Sequence, residues 1–165
     1  MGYDVHRLVA GRRLVLGGVT IPFDRGLEGH SDADVVVHAV MDALLGAAGL
    51  GDIGVHFPPT DEGYRGADSL ALLRRVSELL SEPGWRPVNV DVMVVAEAPR
   101  LRPYVDAMRA NVATALGLAV EVVSVKATTN ERLGAMGRAE GISAQAVALI
   151  ARDSSPGDAT TQPTR

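Results

Sequence analysis

The chain contains no cysteine, and only 4% of its 165 residues are aromatic. The missing thiols exclude disulfides and thiolate zinc sites, and they accord with a reducing, cytoplasmic setting. With few rings and 47% hydrophobic residues, the core has to be built from Val, Leu and Ala. No apolar run is long enough to cross a bilayer, and the N-terminus lacks the pattern of a signal or transit peptide, so no membrane partner is expected. Basic runs are also absent and the net charge is -4, which argues against nucleic acid as a partner. A Walker loop, a G-x-G-x-x-G turn and a G-x-S-x-G elbow are all missing, so a nucleotide would have to be held in another way.

What is present suits one domain with a proper core, expected over 1–152, followed by a Ser/Pro/Gly/Asp/Thr tail over 153–165 that is expected to be disordered. Residues 2–8 read as a strand, and 14–22 as a hairpin turning at Gly17-Gly18. Ser31 resembles an N-cap, with Asp34 completing a variant capping box, for a helix apolar nearly all round that runs to about Leu50. A loop is expected over 55–67 and an amphipathic helix over 68–82. Strands follow over 88–96 and 120–128, with a helix opened by Pro103 and closed by Gly117 between them. A Gly-containing loop is expected over 129–139. Residues 142–152 have the Ala content of a helix and the alternation of a buried strand, and strand is favoured. The fold class is therefore α+β: a single domain with one mixed β-sheet and helices on one face.

Chemistry concentrates in short pieces. Asp4 and His6, two apart on a strand, point to the same side, and His38 on the following helix can complete a three-ligand site with an open fourth position, as in catalytic zinc. Asp34 and Asp42, four residues either side of His38, are candidates to orient its ring. Glycines around Asp52 can present its carboxylate to a polyol, although a helix C-cap explains the same pattern. Arg100 and Arg102 beside a helix N-terminus make a phosphate neighbourhood or a solvated charged turn. Thr128 and Thr129 can hold phosphate oxygens, and Glu131 can bind Mg²⁺; an ST-turn is the plainer reading. Arg138 and Glu140 sit between glycines in what reads as a turn.

Taken together the motifs are D-V-H at 4–6, G-H-S-D-A-D-V-x-x-H at 29–38 and D-A-L-L-G-A-A-x-L-G-D-I-G at 42–54. They continue with F-P-x-T-D at 57–61, A-P-x-L-x-P-Y at 98–104, V-K-A-T-T at 125–129 and G-R-x-E-G at 137–141. This set resembles the 2-C-methyl-D-erythritol 2,4-cyclodiphosphate synthase family from residue 2 to about 151. The resemblance implies a homotrimer whose sheets pack around a threefold axis, with active sites between subunits. It implies cyclisation of 4-diphosphocytidyl-2-C-methyl-D-erythritol 2-phosphate, with release of CMP, in non-mevalonate isoprenoid biosynthesis.

By the same resemblance, Asp4, His6 and His38 would bind Zn²⁺ or another divalent transition metal, and Glu131 would ligand Mg²⁺ or Mn²⁺ at a second site. His30 and Ser31 match the positions that hold the 2-phosphate. Asp52, Ile53, Gly54, Phe57 and Asp61 match the erythritol neighbourhood. Ala96, Pro99, Arg100, Leu101 and Arg102 match the cytidine and phosphate loop, and Thr128 and Thr129 the diphosphate contacts. His30 and Thr129 take the catalytic positions. Ala135 and Arg138 lie toward the trimer axis, where an isoprenoid diphosphate has been proposed to bind. Three positions depart from the family pattern: Pro59 for an aspartate, Arg100 for a lysine, and Ala135 for a bulky apolar residue. Two competing readings are a metal-dependent phosphodiesterase releasing a linear product and a non-catalytic trimeric sensor.

Overall fold

A computed structural model describes residues 1–153. In chain order its elements are β1 (Gly2–Ala10), β2 (Leu14–Leu16), β3 (Val19–Ile21), β4 (Arg25–Leu27), α1 (Val35–Ala48) and α2 (Ile53–His56). Then come α3 (Ser69–Ser81), β5 (Trp85–Val95), α4 (Val105–Leu116), β6 (Val123–Thr128), α5 (Gly134–Gly137) and β7 (Gly141–Arg152). The main sheet has the order β4-β1-β7-β5-β6. Only β5 and β6 run parallel; the other pairings are antiparallel. The expected mixed sheet of a single α+β domain is thus observed, with β2 and β3 forming a separate hairpin.

Helix α1 is the centre of the core. Ten of its residues are buried, from Val35 round to Leu45, and it packs on β1 and β7 with α3 alongside. Its approach to β1 is close enough that a Cβ added to Gly2 would lie 2.1 Å from the Ala39 carbonyl oxygen, so only glycine fits there. The inner face of the sheet supplies Val90, Val92, Val94, Ile142, Ala144 and Ala146, all buried. The outer face of β1 and β7 is different. Tyr3, Val5, Val147 and Leu149 are 51%, 41%, 57% and 58% exposed, a contiguous apolar area of the kind that marks an interface.

Asp34, not Ser31, is the N-cap of α1. Ala33 has φ 59, a left-handed conformation that no helix can contain, so the helix cannot begin before it. The buried Asp34 carboxylate accepts from Val36 N (3.1 Å) and Val37 N (3.2 Å). It also accepts from Gly17 N (2.9 Å) and Gly18 N (2.7 Å) in the β2–β3 turn. Burial pushes its pKa up to about 6 against the pull of these N–H donors, so the carboxylate form holds the turn at neutral pH.

Several other expectations need correction. Gly49, with φ 72, closes α1 one residue before Leu50. The expected loop over 55–67 overlaps α2 and a 3₁₀ turn at Glu62–Tyr64, and the loop over 129–139 holds α5. Pro103 sits in a 3₁₀ turn, Arg102–Tyr104, ahead of α4. Residues Val120–Val122 are a 3₁₀ turn rather than strand, because Arg109 draws in the carbonyls of Val120 (2.9 Å) and Val123 (2.7 Å). Strand β4 was not anticipated. Asp153, the first residue of the expected tail, donates its amide to Gly84 O and pairs with Arg86; the rest of that tail, 154–165, lies outside the described residues.

Asp34→Asn keeps the shape but turns an NH₂ group toward a main-chain N–H. It is expected to lower unfolding free energy by about 1–3 kcal/mol, read as a lower urea midpoint at unchanged slope.

Candidate active site

The alternation of β1 sends Asp4 and His6 inward, where α1 crosses the sheet, and the first turns of α1 carry His38 down to meet them. Asp4 Oδ2 lies 2.9 Å from His38 Nδ1 and 3.2 Å from His6 Nε2. One ligand atom from each residue lies within 4.8 Å of the others, and the two rings meet edge-on with centroids 5.8 Å apart. The donor set of one carboxylate and two imidazoles, converging from a strand and a helix, fits a divalent transition metal with an open position.

The electrostatics agree. Burial would raise Asp4, but the hydrogen bonds and charges of His38 and His6 overcome it and hold the carboxylate well below its usual range. Burial would lower His38, yet the Asp4 hydrogen bond and charge raise it above the ordinary imidazole value. The pocket therefore favours negative charge on Asp4 and positive charge facing it, the balance that a bound cation would meet.

The expected partners of His38 are not the observed ones. Asp34 is spent on the β2–β3 turn, and Asp42 accepts from Ile53 N at 2.9 Å, fixing the start of α2. His38 Nε2 instead meets Ser69 Oγ at 3.0 Å and Ser31 Oγ at 3.3 Å. Ser69, a buried residue at the start of α3, carried no sequence signal beyond that of a helix terminus.

The triad opens into a cavity of about 310 Å³ whose walls include His30, Ser31, Ile53, Gly54 and Phe57. His30 Nε2 lies 3.3 Å from Asp61 O, and Phe57 packs edge-on against Tyr64. Pro59 lines the wall where an aspartate was the family expectation. Asp52 and Asp61 do not line it: each carboxylate caps a short turn, Asp52 onto Val55 N (3.1 Å) and Asp61 onto Gly63 N (2.8 Å). The chain carrying His30 and Ser31 is held by Arg12, which donates to Gly29 O and Ser31 O, both at 2.8 Å. Sequence reasoning missed Arg12 because its turn lies far from this loop along the chain.

A second and larger cavity, of about 840 Å³, lies at the far edge of the sheet. Ala96, Pro99, Arg100, Leu101, Arg102, Thr128 and Thr129 line it. Glu131 sits beside it, accepting from Thr129 Oγ1 at 2.7 Å, while Glu97 braces the turn through Asn130 N and Arg132 N. Ala135 and Arg138 line neither cavity; Arg138 pairs with Glu140 at 2.6 Å. The two cavities share no lining residue.

If Arg12 clamps the 29–31 segment, Arg12→Ala should speed hydrogen exchange at the Asp32 and Gly66 amides, which bond across that loop. An increase of about five- to tenfold is expected for losing two charge-assisted bonds at an exposed site, with the exchange of α1 unchanged.

Known proteins resemble this chain in sequence and fold. The profile of the YgbB family matches residues 1–151. The 2-C-methyl-D-erythritol 2,4-cyclodiphosphate synthase of Symbiobacterium thermophilum is 69% identical over 91% of this chain and 96% of its own length. The enzyme of that name from Chromobacterium violaceum is 61% identical over 92% and 96%. Among solved structures, a 2C-methyl-D-erythritol-2,4-cyclodiphosphate synthase with bound CDP superposes with TM-score 0.83 at 35% identity, covering 91% of this chain and 97% of that one. The bifunctional IspDF of Campylobacter jejuni gives TM-score 0.89 at 41% identity, covering 92% of this chain and 41% of its own. With the family profile matched over residues 1–151, this chain belongs to the YgbB family.

Proposed function

We propose that this chain catalyses the cyclisation of 4-diphosphocytidyl-2-C-methyl-D-erythritol 2-phosphate to 2-C-methyl-D-erythritol 2,4-cyclodiphosphate, releasing CMP. It is a phosphorus–oxygen lyase reaction of isoprenoid precursor synthesis in the cytoplasm. The observation that carries the reading is the pairing of a metal-ligand triad with two separate cavities in a chain of this family. One has the His30–Ser31 anion neighbourhood; the other has arginines and threonines suited to a nucleotide diphosphate.

In this reading a 2-phosphate oxygen attacks the β-phosphorus, the bond from that phosphorus to the bridging oxygen breaks, and CMP leaves with that oxygen. The nucleophile is ionised at neutral pH, so no general base is needed. Two anions must instead be brought together, and a folded substrate gains up to about 7–11 kcal/mol from proximity alone. His30 and Ser31 hold the 2-phosphate, with His30 placed to offset charge as the new bond forms. Ile53, Gly54 and Phe57 take the erythritol, while Asp52 and Asp61 shape that side by capping its turns. Ala96, Pro99, Arg100, Leu101 and Arg102 receive the cytidine and its phosphates, and Thr128 and Thr129 donate to the diphosphate. Asp4, His6 and His38 would hold zinc or a similar divalent ion, and Glu131 a second ion, Mg²⁺ or Mn²⁺. Such ions, when bound, supply charge neutralisation at the phosphoryl oxygens.

The separation of the cavities and the apolar outer face of β1 and β7 both favour a homotrimer packed through its sheets around a threefold axis. Each active site would then join the metal side of one subunit to the nucleotide side of its neighbour. Arg138 and Ala135 would lie near the axis, where the small Ala135 would leave less apolar lining for an isoprenoid diphosphate. The folding unit proposed is 1–152.

The direct test is ³¹P NMR of the protein with this substrate, Zn²⁺ and Mg²⁺. Cyclic diphosphate plus CMP is expected; a linear product would instead indicate a metal-dependent phosphodiesterase. His38→Ala should lose zinc and at least about 10²-fold in turnover while the oligomer persists, measured by metal content and sedimentation.

Subunit mixing tests the shared site. Asp4→Ala and Thr129→Ala should each be inactive alone. Equal co-refolding should restore about a quarter of wild-type turnover, since each mixed trimer regains one intact site of three. No recovery from verified mixed trimers would place both halves of the site in one subunit.

A further inference from the structure

The ring of His38 is gripped on the side away from Asp4 by a chain of groups that the proposed chemistry does not use. Ser69 Oγ lies 3.0 Å from His38 Nε2 and donates its hydroxyl proton to Asp32 Oδ1. The second oxygen of Asp32 accepts from Ser69 N at 3.0 Å. Asp34 N also points at Oδ1, at 3.3 Å. Asp32 thus ties the loop before α1 to the first residue of α3, and Ser69 is fully buried.

The donor and acceptor inventory fixes the direction of this chain. An ionised carboxylate only accepts, and a serine hydroxyl carries one proton. That proton goes to Asp32, so Ser69 Oγ can only accept from the imidazole, and Nε2 must carry the hydrogen. The lone pair is then left on Nδ1, the nitrogen 2.9 Å from Asp4 Oδ2. Ser31 Oγ, farther from Nε2 at 3.3 Å and accepting from Ala33 N, stays available on the cavity side.

We propose that Ser69 and Asp32 are positioning residues for the metal site, a relay that fixes His38 as an Nε2–H donor and aims Nδ1 at the ion. The proposal rests on the metal reading of Asp4, His6 and His38. The role resembles that of carboxylates beyond metal-bound histidines generally, with a hydroxyl interposed.

Two variants test it in the full-length chain. Ser69→Ala removes the acceptor. Asp32→Asn is isosteric: its oxygen stays on Ser69 N, so its NH₂ donates to Ser69 Oγ and turns the hydroxyl proton toward His38 Nε2. Both should weaken Zn²⁺ binding about 10- to 100-fold in competition with a chromophoric chelator. In the zinc-loaded wild type, ¹⁵N-resolved imidazole spectra should show a slowly exchanging His38 Nε2–H proton, and that signal should be lost or exchange fast in Ser69→Ala. A role limited to tying the loop to α3 would lower thermal stability of the metal-free variants without moving zinc affinity or that proton. Affinities within about threefold of wild type in both variants, or a wild-type spectrum with zinc on Nε2, would overturn the proposal. A wild type that takes up no zinc would overturn the metal reading itself. Should Ser69→Ala fold poorly, the isosteric Asp32→Asn and the wild-type spectrum decide.

Discussion

The carboxylate of Asp34 accepts from main-chain N–H groups in two places at once, the Gly17–Gly18 turn and the first turn of α1. Because it is buried, its position is set by all four bonds together rather than by solvent. The start of α1 is thereby pinned against the hairpin, and His38 follows one helical turn later. A helix started elsewhere would rotate His38 by about 100° per residue and take it away from β1. The metal-ligand geometry is in this sense a consequence of a helix cap, reinforced by the absence of a side chain at Gly2 where α1 crosses.

Around that frame most acidic side chains serve the backbone, and one oxygen of Asp4 serves the site. Asp34, Asp42, Asp52 and Asp61 all spend carboxylate oxygens on backbone amides. Asp4 alone of the acidic residues facing α1 turns to two imidazoles. Unshared carboxylates around a cation site would compete for the metal or repel incoming phosphate; tying them to N–H groups removes most of that freedom. The same economy appears at the second cavity, where Glu97 holds the turn that presents Thr129 and Glu131.

Local pattern made much of this legible. The β1 alternation placed Asp4 and His6 correctly, the Gly17-Gly18 hairpin and the helix expected over 68–82 follow from turn residues and periodicity, and the strand favoured over 142–152, ambiguous by periodicity, is observed as β7. The failures trace to contacts or backbone conformations that the local pattern does not encode. Arg25–Leu27 is too short to alternate and exists as a strand because Leu27 pairs with Leu8. Val120–Val122 has the composition of a strand but yields to Arg109. Ser31 looks like a cap until the left-handed Ala33 is known. At the site, the candidate ligands were readable because metal chemistry restricts residue type, whereas Ser69, Asp32 and Arg12 are residues whose type says nothing until their neighbours are seen. Asp52 and Asp61 show the reverse limit, since motif position brought them to notice while geometry gives their carboxylates to caps.

Strand β1 lies between β4 and β7 in the sheet, and its register with β7 joins Gly2 to Ala146. Two segments far apart in the sequence are therefore neighbours in the sheet. Closing so long a loop is slow relative to local helix formation, so α1 and the hairpin can form during synthesis while Asp4 and His6 remain on an unpaired edge. The ligand pair becomes fixed only when the C-terminal strand arrives. Metal captured earlier would be held by a floppy site of low affinity, so tight binding would follow the docking of β7 on β1.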